Sequence, residues 1–217
     1  MRQSACFITL EGLDGAGKST HVPWIEAWLR QAGVHLLSTR EPGGTPLGEA
    51  LRELLLHQDM QARTEALLMF AARNELWQTR IQPALAQGQW VLCDRHIDAS
   101  YAYQGGGRAL GHEAIRQLDD WVMQGRTPDC TLLFDLAPDL ARRRVGRGEG
   151  GPDRFEQEST AFFLRVRQAY HERVAADPER FHVLDGSLPV HAIQDRLGRI
   201  LQQLVDQFAG HSNGSTS

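Results

Sequence analysis

Lysine is almost missing from this chain of 217 residues: among its 23 lysines and arginines, Lys18 is the single lysine. The guanine-reading N-K-x-D pattern is thereby excluded, because the one lysine already belongs to another motif. Cysteine is scarce too. Cys6, Cys93 and Cys130 are scattered and show no C-x-x-C spacing, which argues against a metal or redox motif and predicts buried core thiols in a reducing compartment. Nor is positive charge in excess. A net charge of -4 and a pI near 6.1 argue against nucleic-acid binding by bulk electrostatics, so a basic cluster is expected to address a small polyanion. No run approaches the ~20 apolar residues of a membrane span, and no signal-like segment opens the chain; the expectation is a cytoplasmic protein without nucleic-acid or membrane partners. Internal repeats and interdomain linkers are also lacking, and the length suits one α/β domain.

What is present is a complete G-x-x-x-x-G-K-[ST] phosphate-binding loop, Gly12-Leu13-Asp14-Gly15-Ala16-Gly17-Lys18-Ser19, followed by Thr20. The apolar run Phe7–Leu10 precedes it, and Val22, Ile25, Trp28 and Leu29 recur at helical spacing after it. The motif therefore lies between strand and helix, as it must. Glycines let backbone N–H groups turn toward an anion, and the helix start adds its dipole. Lys18 supplies a compact ammonium on a flexible stem, which fits between β- and γ-phosphates where a planar guanidinium would collide. Ser19 is expected to hold Mg2+ through its hydroxyl.

Strand-like runs recur at Phe7–Leu10, Leu36–Ser38, Trp90–Cys93, Leu132–Leu136 and Phe181–Leu184, separated by segments of helical periodicity. That alternation predicts a five-stranded parallel sheet with helices on both faces, in a single domain over residues 1–209 with a polar, disordered tail after it. Helices are predicted at 19–32, 47–56, 64–87, 113–123, 138–147, 158–176 and 190–208. Three stretches read as loops: Arg40–Pro46, Gln104–Arg108 and Gly146–Pro152.

Asp94-Arg95-His96 closes the third strand, placing a carboxylate and a guanidinium at a carboxyl end beside the phosphate loop. Asp94 suits Mg2+ through water and Arg95 a phosphate; the plainer alternative is a helix cap paired to its neighbour. For Asp135, followed by Pro138, the cap is the preferred reading. Arg142, Arg143 and Arg144 fit a solvated helix end as well as a site. Arg147 and Arg154, in or after a glycine-rich stretch, suit a lid over about 142–157 that neutralises charge during phosphoryl transfer.

The ordered set Glu11–Thr20, Thr39–Thr45, Phe70-Ala71-Ala72-Arg73, Asp94-Arg95-His96, Ala102–Arg108 and Asp153–Glu158 resembles the bacterial thymidylate kinases over nearly the whole chain. The resemblance implies a P-loop nucleoside monophosphate kinase-like fold, phosphorylation of dTMP to dTDP by ATP with Mg2+, and a homodimer. It implies that Asp14 lies near the acceptor sugar, Arg52 and Arg95 grip the dTMP phosphate, and Glu41 belongs to the phosphate and magnesium region. Arg73 is implied to bond a thymine carbonyl, Gln104 to read the base edge, and Ser100 and Tyr103 to line base and sugar. One departure stands out: where the family stacks a phenylalanine on thymine, four residues before the arginine, this chain has Met69, with Phe70 beside it. Either side chain fits the ring. The loop also lacks the arginine of the eukaryotic version, which makes Arg147 the candidate cation. A deoxynucleoside kinase is the alternative activity; its neutral hydroxyl acceptor would need a carboxylate base and no phosphate clamp.

Overall fold

The computed structural model describes residues 5–145 and 153–210. Arg147 and the tail beyond residue 210 lie outside the described residues. The sheet has five parallel strands, β1 (Phe7–Gly12), β2 (Leu36–Arg40), β3 (Trp90–Asp94), β4 (Cys130–Asp135) and β5 (Phe181–Asp185), in the order β2-β3-β1-β4-β5. Each predicted strand is present. Alternation along the strands sends Ile8, Leu10, Leu92, Leu132 and Phe134 into a core shared with α1 (Lys18–Gln31), α8 (Thr160–Ala176) and α9 (Val190–Gly210). Phe7, Val91 and Cys93 enter a second core with α3 (Ala62–Leu76) and α6 (His112–Met123). All three cysteines are free and buried, as expected.

The remaining helices are α2 (Pro46–His57), α4 (Gln82–Ala86), α5 (Ile97–Ser100) and α7 (Pro138–Val145). Local chemistry sets their ends. Thr45 caps α2, its hydroxyl accepting from Gly48 N at 2.9 Å with Pro46 in the first turn, and Ser159 caps α8 by accepting from Phe162 N at 3.2 Å. The single helix expected over 64–87 is instead α3 and α4 separated by a π-helical turn, Trp77–Ile81. Pro83 supplies the reason. It has no N–H, and its ring crowds the carbonyl four residues back, so the backbone widens before it.

The loop expected at Gln104–Arg108 is also helical: α5 continues directly into a π-helical segment, Tyr101–Gly107. Its glycines serve proximity instead of turning. A Cβ on Gly106 would stand 2.7 Å from the Ala169 Cβ, and one on Gly107 2.6 Å from the Phe162 ring, so the bare backbone lies directly on α8. At the base of this layer Asp98, fully buried, accepts from Arg180 at 2.7 Å and from Arg173 at 2.8 Å, tying α5 to α8 and to the start of β5. Burial works against the Asp98 charge, but these guanidiniums outweigh it and hold the carboxyl below its usual range.

Candidate active site

At the carboxyl end of β1 the chain passes through the glycine loop into α1. Two glycines there are sterically required: a Cβ on Gly12 (φ +130°) would lie 2.3 Å from the Phe134 carbonyl oxygen, and one on Gly15 (φ +80°) 2.3 Å from that of Ala141. Lys18 Nζ sits in the loop's curve, donating to the Gly12 and Leu13 carbonyls at 3.0 Å each, with only 6% exposure. Ser19 and Thr20 follow on an exposed turn. Gly15, Ala16, Gly17, Ser19 and Thr20 line one cleft, and Arg144 from α7 lines it too, donating to the Gly186 carbonyl at 2.9 Å and reaching the Gly15 carbonyl at 3.5 Å. Of the three arginines read as a helix end, Arg144 is thus the one that touches the phosphate loop.

Ser19 and Asp94 share an adjoining groove. Asp94 Oδ1 is buried there without a hydrogen-bond partner among the described residues, and a hard cation at the loop would satisfy it, so the donor set fits Mg2+.

Beyond the loop lies a cavity. It gathers residues far apart in sequence: Asp14, Glu41, Arg52, Met69, Arg73, Arg95, Ser100, Tyr103 and Gln104 all line it. Phe70 does not. It is buried in the second core, about 100° round α3 from Met69, and its ring lies under the Arg73 guanidinium at 4.7 Å.

Arg95 is aimed by its backbone. Its φ of +68° is unusual for a non-glycine residue and turns the side chain back over the glycine loop. Nη1 donates to the Gly12 carbonyl at 2.9 Å, Nη2 to Asp14 Oδ1 at 2.7 Å and to Tyr103 Oη at 3.2 Å. Burial alone would raise Asp14, but Arg95 and then Lys18 outweigh it and hold the carboxyl at about 2. Behind Arg95, Glu11 is completely buried, accepting from Tyr170 Oη and from His96 N at 2.8 Å each; burial, reinforced by Asp98, raises its carboxyl to about 8.

Arg73 is braced in the same way. Its Nε donates to Glu41 Oε2 at 2.8 Å and its Nη2 to the His96 carbonyl at 3.0 Å, while the other Glu41 oxygen meets His96 Nδ1 at 2.8 Å. With both oxygens engaged, Glu41 holds Arg73 in place. Burial opposes its charge, yet Arg73 and His96 keep the carboxyl below the usual range. Arg73 Nη1 remains a buried donor without a partner among the described residues. Arg52 rests on the Pro42 carbonyl at 3.1 Å.

Arg154 is placed elsewhere. It donates to the Leu55 carbonyl at 3.0 Å and pairs with Glu65 at 2.7 Å, anchoring the chain after residue 152 to α2 and α3. Asp135, read as a cap, forms a two-pronged pair with Arg167 at 2.7 Å per contact. Glu65 is a further buried acid beside the cavity, and the sequence carries a signal for it: Glu65, Met69 and Arg73 fall at i, i+4 and i+8, one stripe along α3.

Comparison with known proteins agrees with this geometry. The family model described as Thymidylate kinase matches residues 10–197. Proteins named thymidylate kinase are similar throughout: that of Thiobacillus denitrificans is 56% identical over 92% of this chain and 97% of its own length. The Bordetella pertussis protein is 53% identical over 94% and 97%, and that of Ralstonia nicotianae 52% over 91% and 98%.

Proposed function

Because the chain belongs to the thymidylate kinase family, we propose that it transfers the γ-phosphoryl group of ATP to the phosphate of dTMP, giving dTDP and ADP. One observation carries the reading: a single cavity holds two guanidiniums suited to a phosphate, Arg52 and Arg95, together with a donor and an amide suited to a base edge, Arg73 and Gln104. Arg73 Nη1, buried and without a partner among the described residues, is satisfied by the thymine O4 carbonyl; cytosine would offer it an amine at that position. Met69, the side chain of the pair that faces the cavity, packs the ring. Asp14 and Tyr103 meet the sugar, and Ser100 lines the wall.

The acceptor needs no base. A phosphate monoester has its second pKa at about 6 and is mostly dianionic at pH 7. An acceptor oxygen attacks the γ-phosphorus in line as the bond to the β–γ bridging oxygen breaks, and ADP leaves with that electron pair. Lys18 and Arg95 offset the repulsion between the two polyanions and hold them aligned. Mg2+ held by Ser19, and through Asp94, would add charge neutralisation on the donor phosphates.

A coupled ADP-release assay tests the activity. dTMP should be the preferred acceptor, with dUMP poorer by about 10- to 100-fold for its missing methyl group and dCMP poorer still. Turnover of thymidine without dTMP would replace this reading with a deoxynucleoside kinase.

The family's dimer finds support in a groove between α3 and α6, lined by Leu67, Leu118 and Val122 and by Trp121, which is 76% exposed. Sedimentation equilibrium should give twice the 24.3 kDa chain mass, falling to one chain in Trp121→Glu. A cytoplasmic location accords with the three buried free thiols.

A further inference from the structure

We propose that Glu65 decides which base the acceptor cavity accepts, by fixing the Gln104 amide with its carbonyl oxygen toward the nucleotide; the inference rests on reading that cavity as the dTMP site. Glu65 has no exposed surface. Its Oε1 accepts from Gln104 Nε2 at 2.8 Å, while Oε2 accepts from Arg108 Nε at 2.9 Å and pairs with Arg154 Nη1 at 2.7 Å. A carboxylate presents acceptors only, so Gln104 can meet it only through its NH2 group. Because the amide is planar and has two unlike ends, its carbonyl oxygen is the end left for a ligand in the cavity that Gln104 lines.

The carboxylate cannot turn away. Arg108 is held by Glu158 and lies over the Phe162 ring at 4.9 Å, and Arg154 lies over Phe155 at 4.6 Å. Gln104 therefore presents an acceptor in the cavity that is also lined by Arg73, whose Nη1 is a donor without a partner among the described residues. Thymine and uracil match that pair with N3–H and O4. Cytosine, with an N3 acceptor and an exocyclic amine, opposes both. Glu65 touches no substrate and acts through Gln104, as a positioning residue.

Glu65→Gln inverts the arrangement by the same geometry. Two guanidiniums demand the carbonyl end of the new amide, which leaves its NH2 facing Gln104 and forces Gln104 to rotate. The dTMP-to-dCMP ratio of kcat/KM should then fall at least about tenfold, mainly by loss on dTMP and gain on dCMP. An unchanged ratio, or an equal loss on both nucleotides, would overturn the assignment. Should the variant not fold, the wild-type protein answers: the Gln104 side-chain NH2 protons, identified in 15N NMR spectra by their loss in Gln104→Glu, should be protected from exchange before dTMP is added. Protection that arises only with dTMP would sink the proposal. Gln104→Ala separates the two layers, for if it leaves discrimination intact the reading of the cavity fails, whereas collapse there without collapse in Glu65→Gln removes the Glu65 assignment alone.

Discussion

Lys18→Met should lower kcat by about a thousandfold while leaving thermal unfolding close to that of the parent protein. The stem of Lys18 is buried in the loop and methionine can occupy it, but nothing replaces the ammonium held at 3.0 Å from two loop carbonyls. Arg95 is no substitute, being tied to Asp14 and Tyr103 and lining the cavity proposed for the acceptor. The charge also gives the substitution a pH signature. Burial first, and then Arg95, lower the Lys18 ammonium to about 8. Triphosphate binding favours the charged form, so below pH 8 binding needs no proton. Above it, each complex must take one up, and the ATP dissociation constant should rise about tenfold per pH unit. Calorimetric titration from pH 6.5 to 9.5 would show the rise in the parent and a flat line in Lys18→Met; the same slope in both proteins would separate the titration from Lys18.

Arg95→Ala should cost about a thousandfold in kcat/KM for dTMP with less than about a fivefold change in the ATP dissociation constant. The asymmetry follows from position: the guanidinium lines the cavity proposed for the acceptor, whereas the residues of the cleft proposed for the donor keep their contacts without it. Arg95→Lys should recover little, because a point charge cannot span Gly12, Asp14 and Tyr103 as the planar fork does. Losing Arg95 should also let Asp14 climb from about 2 toward its ordinary 3.8, since that guanidinium is the foremost influence holding it down. If the loss fell on ATP affinity and spared dTMP, Arg95 would belong to the donor side.

Much of this was legible in the sequence because the fold repeats one simple device. Each strand carries an apolar run that closes on a chemically distinctive residue, and five such runs gave the parallel sheet. The glycine loop and Asp94-Arg95 announced themselves for the same reason, being local. Less legible were contacts made between elements. Nothing near Asp135 signals that Arg167, about two turns into α8, takes both its oxygens; the proximity of Pro138 suggested a cap instead. The choice between Met69 and Phe70 turned on which way α3 faces, and neighbouring residues on a helix diverge by about 100°. Glu65 was hidden because an acid in a mostly apolar helical stretch reads as a solvated residue until its three partners, at positions 104, 108 and 154, are brought to it. Glycine-rich Gln104–Arg108 misled in the opposite sense, since glycine signals a turn far more often than a helix pressed against another.

That pressed contact has a mechanical outcome. Where Gly106 and Gly107 lie on Ala169 and Phe162, the wall bearing Gln104 contributes no side chain as a spacer, so its bare main chain meets the helix bearing Tyr170 directly. Rotamer changes can loosen most seams between helices; at these two glycines there are none on one side to change. The wall bearing Gln104 and the Glu11–Tyr170 brace behind the phosphate loop are thus laminated into one plate.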